Sequence, residues 1–251
     1  MSKVWKERLA TAVDDARGEL VGVSHAIHNE PELAFNEHRA AARLADTLSA
    51  SGFTVERGVG RLETAFRATV EGGLPGPTIA ILAEYDALPG IGHGCGHNII
   101  ATSALGAGLA VSRTKTPFTG RIQIIGTPAE EGGGGKILLA DAGVFDEVDA
   151  AIMMHPSTRY MVNRGSLANS RVDITFHGKA AHAAGSPDKG INALDAVIQT
   201  FNGINARRLH MRSDARVHGI ITHGGDAVNV IPARASAVFS IRARRRSYQR
   251  Q

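Results

Sequence analysis

Apolar residues recur every three or four positions from residue 3 to residue 28: Trp5, Leu9, Val13, Ala16, Leu20, Val23 and Ile27. That period predicts one amphipathic helix, which Pro31 interrupts. A second helix is expected over 36–50, with Gly52 just past its end. The period then changes. Residues 63–70 (ETAFRATV) and 78–84 (TIAILAE) read as strands separated by the turn-rich EGGLPGP. TIAILA is the short apolar run of a strand buried on both faces. A helix over 98–112, a strand over 121–127, a short helix over 136–143 and a strand over 149–155 follow. Strand and helix alternating through short links argue for an α/β sheet covered by helices.

Near residue 165 the character shifts. SRVDITFHG (170–178) alternates polar and apolar residues like a half-exposed strand. Residues 191–206 form an amphipathic helix with Ile191, Leu194, Val197, Ile198, Phe201 and Ile204 on one side. Residues 215–225 and 233–243 are two more strands. This is most of a small α+β sandwich, so the chain reads as two domains, 1–165 and 166–251.

Composition changes this picture little. The hydrophobic fraction of 43% and charged fraction of 21% are ordinary for a globular chain of 251 residues. The net charge of +4 comes from the end of the chain. Five of the 28 basic residues lie in 242–251 (RARRRSYQRQ), leaving 23 against 24 acidic residues. No stacking aromatics or fold motif accompany that run, which argues against a nucleic-acid partner. The single cysteine permits no intrachain disulfide. The charged N-terminus lacks a signal-peptide core, and no 18-residue apolar run offers a membrane span. A cytoplasmic location is the expectation.

Three clusters carry candidate chemistry. AEYDALPGIGHGCGHN (83–98) places Glu84 and Asp86 at a strand's C-terminal end, where α/β sheets bind ligands. His93, Cys95 and His97 follow, spaced by glycines. Thiolate, imidazole and carboxylate together are zinc-type donors. GTPAEEGGGGK (126–136) places Glu130 and Glu131 at the end of another strand. One carboxylate can bind metal while its neighbour acts as a general base, although acids at a helix N-terminus have the same pattern. The glycines do not make a phosphate loop, because Ile137 stands where Ser or Thr is needed. His155, in MMHP, ends a third strand. Parallel strands would bring all three ends to one edge.

EYDALPGIGHGCGHN, PAEEGGGGK and MMHP, in this order, resemble a metallopeptidase family that includes aminoacylases, hippurate hydrolases, indole-acetyl-amino-acid hydrolases and Xaa-Arg dipeptidases. IHNEPELAFNE (27–37) is similar to that family's N-terminal signature. The wording is closest to the Xaa-Arg dipeptidase-like branch, and the similarity covers residues 20–243. The resemblance implies a zinc-peptidase-like catalytic domain with a mixed, mostly parallel sheet, and an inserted ferredoxin-like lid that dimerises. It implies two divalent metal ions, zinc first, with manganese or cobalt as alternatives. By motif position Cys95, His97, Glu131 and His155 would be metal ligands and Glu130 the general base. Asp86 would orient a ligand. Many relatives carry histidine where Glu84 stands, which places this chain in the cysteine-containing branch.

In the lid, GKAAHAAGSPDKGINALDA (178–196) resembles the motif whose histidine, here His182, reaches across the dimer. Asn229 and Arg242 match residues that hold the substrate's carbonyl oxygen and carboxylate, a task that suits a guanidinium. The implied reaction is hydrolysis of an amide bond in an N-acyl amino acid or dipeptide. The resemblance also implies a longer protein of about 400 residues, with a last catalytic segment that brings a further ligand histidine. After Ile241 the expected lid pattern is not continued, and 243–251 reads as an aberrant basic tail. The chain is thus expected to be truncated within both domains and inactive alone. The alternative is a metal-binding fragment or dimerisation module.

Overall fold

The computed structural model describes residues 3–115, 117–162 and 165–250. The chain divides into two units, Met1–Tyr160 and Met161–Gln251. The first contains α1 (Lys3–Asp15), α2 (Arg17–Asn29), α3 (His38–Ala50), β1 (Thr54–Arg57), β2 (Phe66–Glu71), β3 (Gly73–Ala83), α4 (His97–Thr114), β4 (Phe118–Gly126), α5 (Gly135–Asp141) and β5 (Ala150–Ile152). The strand order is β1-β2-β4-β3-β5. β3 runs parallel to β4 and β5, whereas β2 is antiparallel to β4 and β1. The sheet is mixed, and the three strands that end in candidate chemistry share one direction.

The alternation of side chains across the sheet gives two apolar layers. On one face Phe66, Ala68 and Ile124 pack with Leu44 and Leu48 of α3 and Leu105 and Leu109 of α4. On the other, Ala80 and Ile125 meet Leu139 of α5 and Val144. Gly126 ends β4 under these layers. A Cβ there would stand 2.3 Å from the Phe66 ring.

Beyond the short strand β1, which the sequence pattern did not announce, three features depart from expectation. The helix over 3–28 is two helices, interrupted at Ala16, yet backbone bonds from Ala16 to Ala12 and from Leu20 to Ala16 span the break. Its buried stripe of Ala12, Ala16, Leu20, Val23 and Ile27 is therefore continuous. Residues 73–77, expected as a turn, belong to β3. The register shift between Leu74 and Thr78 accommodates Pro75 and Pro77, which cannot donate to a regular ladder. β5 stops at Ile152, an exposed edge strand, so His155 lies in the following loop.

The second unit holds β6 (Ala168–His177), α6 (Ala193–Arg207), β7 (Arg216–His223), β8 (Arg234–Ala243) and the short α7 (Arg246–Gln249). Its antiparallel sheet is ordered β6-β8-β7. The Asn192 side chain caps α6 by accepting from the Leu194 amide at 3.0 Å. Val197 and Phe201 pack against Ala237 and Phe239, the two phenylalanine rings 4.8 Å apart. Regular structure continues past Ile241. β8 runs to Ala243, and the Tyr248 hydroxyl accepts from the Arg212 amide while the Arg212 guanidinium lies 4.4 Å from the Tyr248 ring. Among the described residues no helix is long and apolar enough to cross a membrane.

Leu44 is 1% exposed at the centre of the helix-covered face. Leu44→Ala should lower the unfolding free energy by about 2–5 kcal/mol, measured by urea denaturation followed by circular dichroism. An unchanged midpoint would contradict this packing.

Candidate metal centre

The parallel ends of β3 and β4 bring acidic side chains to one edge. β3 ends at Ala83, so Glu84, Tyr85 and Asp86 emerge there, all buried. β4 ends at Gly126, and Glu130 and Glu131 follow after a short turn. The loop between β3 and α4 delivers His97 as the first residue of α4. Gly96, which precedes it, has φ 76°, and a Cβ there would stand 2.6 Å from Pro156. That close approach seats the His155 loop against the start of α4. The His97 and His155 rings lie edge to face with centroids 6.0 Å apart.

His97 is the hub. It is 1% exposed. Its Nδ1 bonds Asp86 Oδ1 at 2.9 Å, so the carboxylate accepts the Nδ1 proton. Its Nε2 faces Glu84 Oε2 at 3.4 Å, Glu131 Oε1 at 3.7 Å and Glu130 Oε2 at 4.0 Å. The other Asp86 oxygen accepts the Glu131 amide at 2.9 Å. Lys136, at the start of α5, pairs with the second Glu84 oxygen. Four carboxylates therefore converge on one imidazole and one ammonium.

The titration behaviour follows this crowding. Burial opposes charging of His97, but Asp86, Glu84 and Glu131 outweigh it and raise its pKa. Burial, followed by the Glu84 charge, raises Glu130. Asp86 is held low against its burial by His97 and the Glu131 amide. The Glu131 carboxylate beside Cys95, together with burial, pushes its thiol up to about 11.

The donor set fits a divalent cation. His97 Nε2 and Glu84 Oε2 are buried atoms without a hydrogen-bond partner among the described residues, facing each other. Buried polar atoms left so are rare and mark a site for another group. Two sets of side chains offer ligand atoms within 4.8 Å of one another: Glu84, His97 and His155, and His97, Glu130 and Glu131. The structure thus gathers His97, His155, Glu130, Glu131 and Asp86. Cys95 stands beside Glu131 but outside both sets. Glu84, read from the sequence as a carboxylate at a ligand-binding strand end but not as a metal ligand, belongs to the cluster. The available signal was a carboxylate directly after a run of buried strand residues.

In the second unit, the Ala183 amide bonds the Asn229 carbonyl at 2.9 Å and His182 bridges Val230, so His182 and Asn229 are neighbours. His182 Nδ1 accepts from the Ala184 and Gly185 amides at 3.3 and 3.0 Å, leaving Nε2 as the donor of a neutral ring. Arg242 lies near the far end of β8, with its exposed guanidinium bonded to Ser240.

Comparison with known proteins agrees with these features. Residues 165–248 match the peptidase dimerisation domain. The chain is 40% identical over 254 residues to the Xaa-Arg dipeptidase of Mus musculus, covering 96% of this chain and 59% of that protein. It is 40% identical to a p-aminobenzoyl-glutamate hydrolase of Escherichia coli K12, covering 92% of this chain and 52% of that one. The fold is that of a dinuclear metal-binding peptidase of Bacillus subtilis from the M20 family, with a TM-score of 0.70 and 24% identity over 94% of this chain and 67% of that one. Residues 165–248 thus carry an M20-type peptidase dimerisation domain, and nearly the whole chain is homologous to part of a dipeptidase and of a hydrolase. The chain spans between half and three fifths of the length of the two relatives named from sequence.

The Lys136–Glu84 pair gives a direct test of the charge crowding. In chelator-treated protein, Lys136→Met should cost about 1–3 kcal/mol, because it strips a buried carboxylate of its ammonium partner. Unfolding by urea measures this, and unchanged stability would show that Glu84 does not need the lysine.

Proposed function

We propose that this chain carries the catalytic centre of a metal-dependent amidohydrolase or dipeptidase. Its substrate would be an N-acyl amino acid or dipeptide with a free carboxylate. The observation that carries the reading is the meeting of His97 Nε2 with the Glu84, Glu130 and Glu131 carboxylates at the C-terminal edge of parallel strands. The names of the two relatives, a dipeptidase and an aminobenzoyl-glutamate hydrolase, support the same bond type.

Cys95, His97, Glu131 and His155 would hold two divalent ions, zinc first, with manganese or cobalt as alternatives. Glu84 would join them, as its ligand atom lies within 4.8 Å of those of His97 and His155. When bound, such ions polarise a carbonyl oxygen and lower the pKa of a water. Asp86 holds His97 Nδ1, so Nε2 would be the atom offered to a metal. Glu130 takes the proton of the attacking water and returns it to the leaving amine. Its side chain, 46% exposed, is the most accessible of the four clustered carboxylates, and its raised pKa suits proton exchange. His182, through its Nε2–H, and Asn229 would donate to the oxyanion. Arg242 would grip the substrate carboxylate in a bidentate pair. The match of residues 165–248 supports a homodimer through this unit.

The test is hydrolysis of a panel of dipeptides and N-acyl amino acids by the zinc-loaded protein, expressed at the full length of its relatives. Glu130→Gln should reduce turnover by about a hundredfold or more while zinc content, read by elemental analysis, stays unchanged. Equal turnover in the two proteins would refute the assignment. Zinc binding without turnover in the unmutated chain would restrict the reading to metal binding.

A further inference from the structure

Glu37 is a buried carboxylate that no step above uses. It is 0% exposed, immediately before α3. It occupies the N-cap position of that helix but makes no side-chain cap bond. Its oxygens point elsewhere. Oε1 accepts the Ala129 amide at 2.9 Å and the Phe35 amide at 3.0 Å. Oε2 accepts the Thr64 hydroxyl at 2.9 Å.

These bonds lead to the metal centre by two routes. Ala129 directly precedes Glu130 and has φ 56°, the left-handed region that an alanine rarely adopts. Its carbonyl accepts the amides of Gly133 and Gly135 at 3.2 Å each. Two buried acids therefore clamp the backbone around Glu130: Glu37 holds the amide before it and Asp86 the amide after it. The second route runs through Thr64, whose carbonyl accepts the Tyr85 hydroxyl at 2.6 Å. Tyr85 is fully buried and lies between Glu84 and Asp86 in sequence. Burying a carboxylate is costly, and an apolar residue would fill the space more cheaply if packing were its only task.

We propose that Glu37 is a positioning residue, which holds the turn at 129–131 and the segment 84–86 in the geometry that metal binding requires. The inference rests on the metal-dependent reading above. It concerns reach rather than charge. A glutamine retains an oxygen for Ala129 and Phe35, and its amide can donate to the Thr64 oxygen. An aspartate keeps the charge but is one methylene too short.

Zinc affinity, measured by competition with a chromophoric chelator, tests this on the full chain. Glu37→Asp should weaken zinc binding about tenfold or more, as removal of a ligand's supporting contacts does. Glu37→Gln should bind like the unmutated chain. Leu44→Ala, a destabilising change in the adjoining helix, should also bind normally while folded, as confirmed by circular dichroism. Cobalt loading adds a second readout: the visible absorption bands should change in Glu37→Asp alone. The proposal is overturned if Glu37→Asp binds zinc normally, if Glu37→Gln loses as much as Glu37→Asp, or if affinity merely follows stability across the three variants. An unmutated chain without zinc affinity would instead overturn the metal reading itself, and this inference with it.

Discussion

His97 is the residue on which the centre depends. Asp86 fixes one ring nitrogen, and the other is aimed at three carboxylates. Such crowding is unfavourable unless cationic charge enters. Part of it comes from Lys136 and from the raised basicity of His97. A divalent ion would replace the His97 proton and satisfy several carboxylates at once, supplying the partner that the two unpaired atoms at the centre lack. The rest of the first unit serves this arrangement. The shared direction of β3 and β4 sets the acids side by side, and the apolar layers on both faces of the sheet keep the strand ends rigid.

Much of the fold was legible in the sequence because the two periods are strong. TIAILA and RIQIIG could only be buried strands in so polar a context, and 191–206 could only be an amphipathic helix. What escaped was set by tertiary context. TVER, the β1 strand, is short, polar and at a sheet edge, so no alternation marks it. GLPGP has the composition of a turn but joins β3, because a register shift excuses its prolines from the ladder. Past Ala243 the arginine-rich composition concealed the short helix α7 and a tyrosine anchored on Arg212.

The candidate site was legible in a similar measure. Acids and imidazoles between strand ends and glycines named His97, Glu130, Glu131, His155 and Asp86, and the structure gathers them. Glu84 and Glu37 were harder to place. Each is marked by a contact with a partner 52 and 92 residues away, Lys136 and Ala129 respectively. Such pairing leaves no local spacing to read. Cys95 shows the reverse: its motif is conspicuous, but the neighbouring Glu131 raises its thiol pKa, and a thiol becomes a ligand only when deprotonated.

The most direct test of the central claim is an anomalous-scattering map from crystals of the chain grown with zinc. The account predicts zinc peaks bonded to His97 Nε2, His155 and the Glu84 and Glu131 carboxylates, with Asp86 still on Nδ1 and Glu130 unbonded. Zinc found only on surface histidines, with His97 still enclosed by its carboxylates, would contradict it.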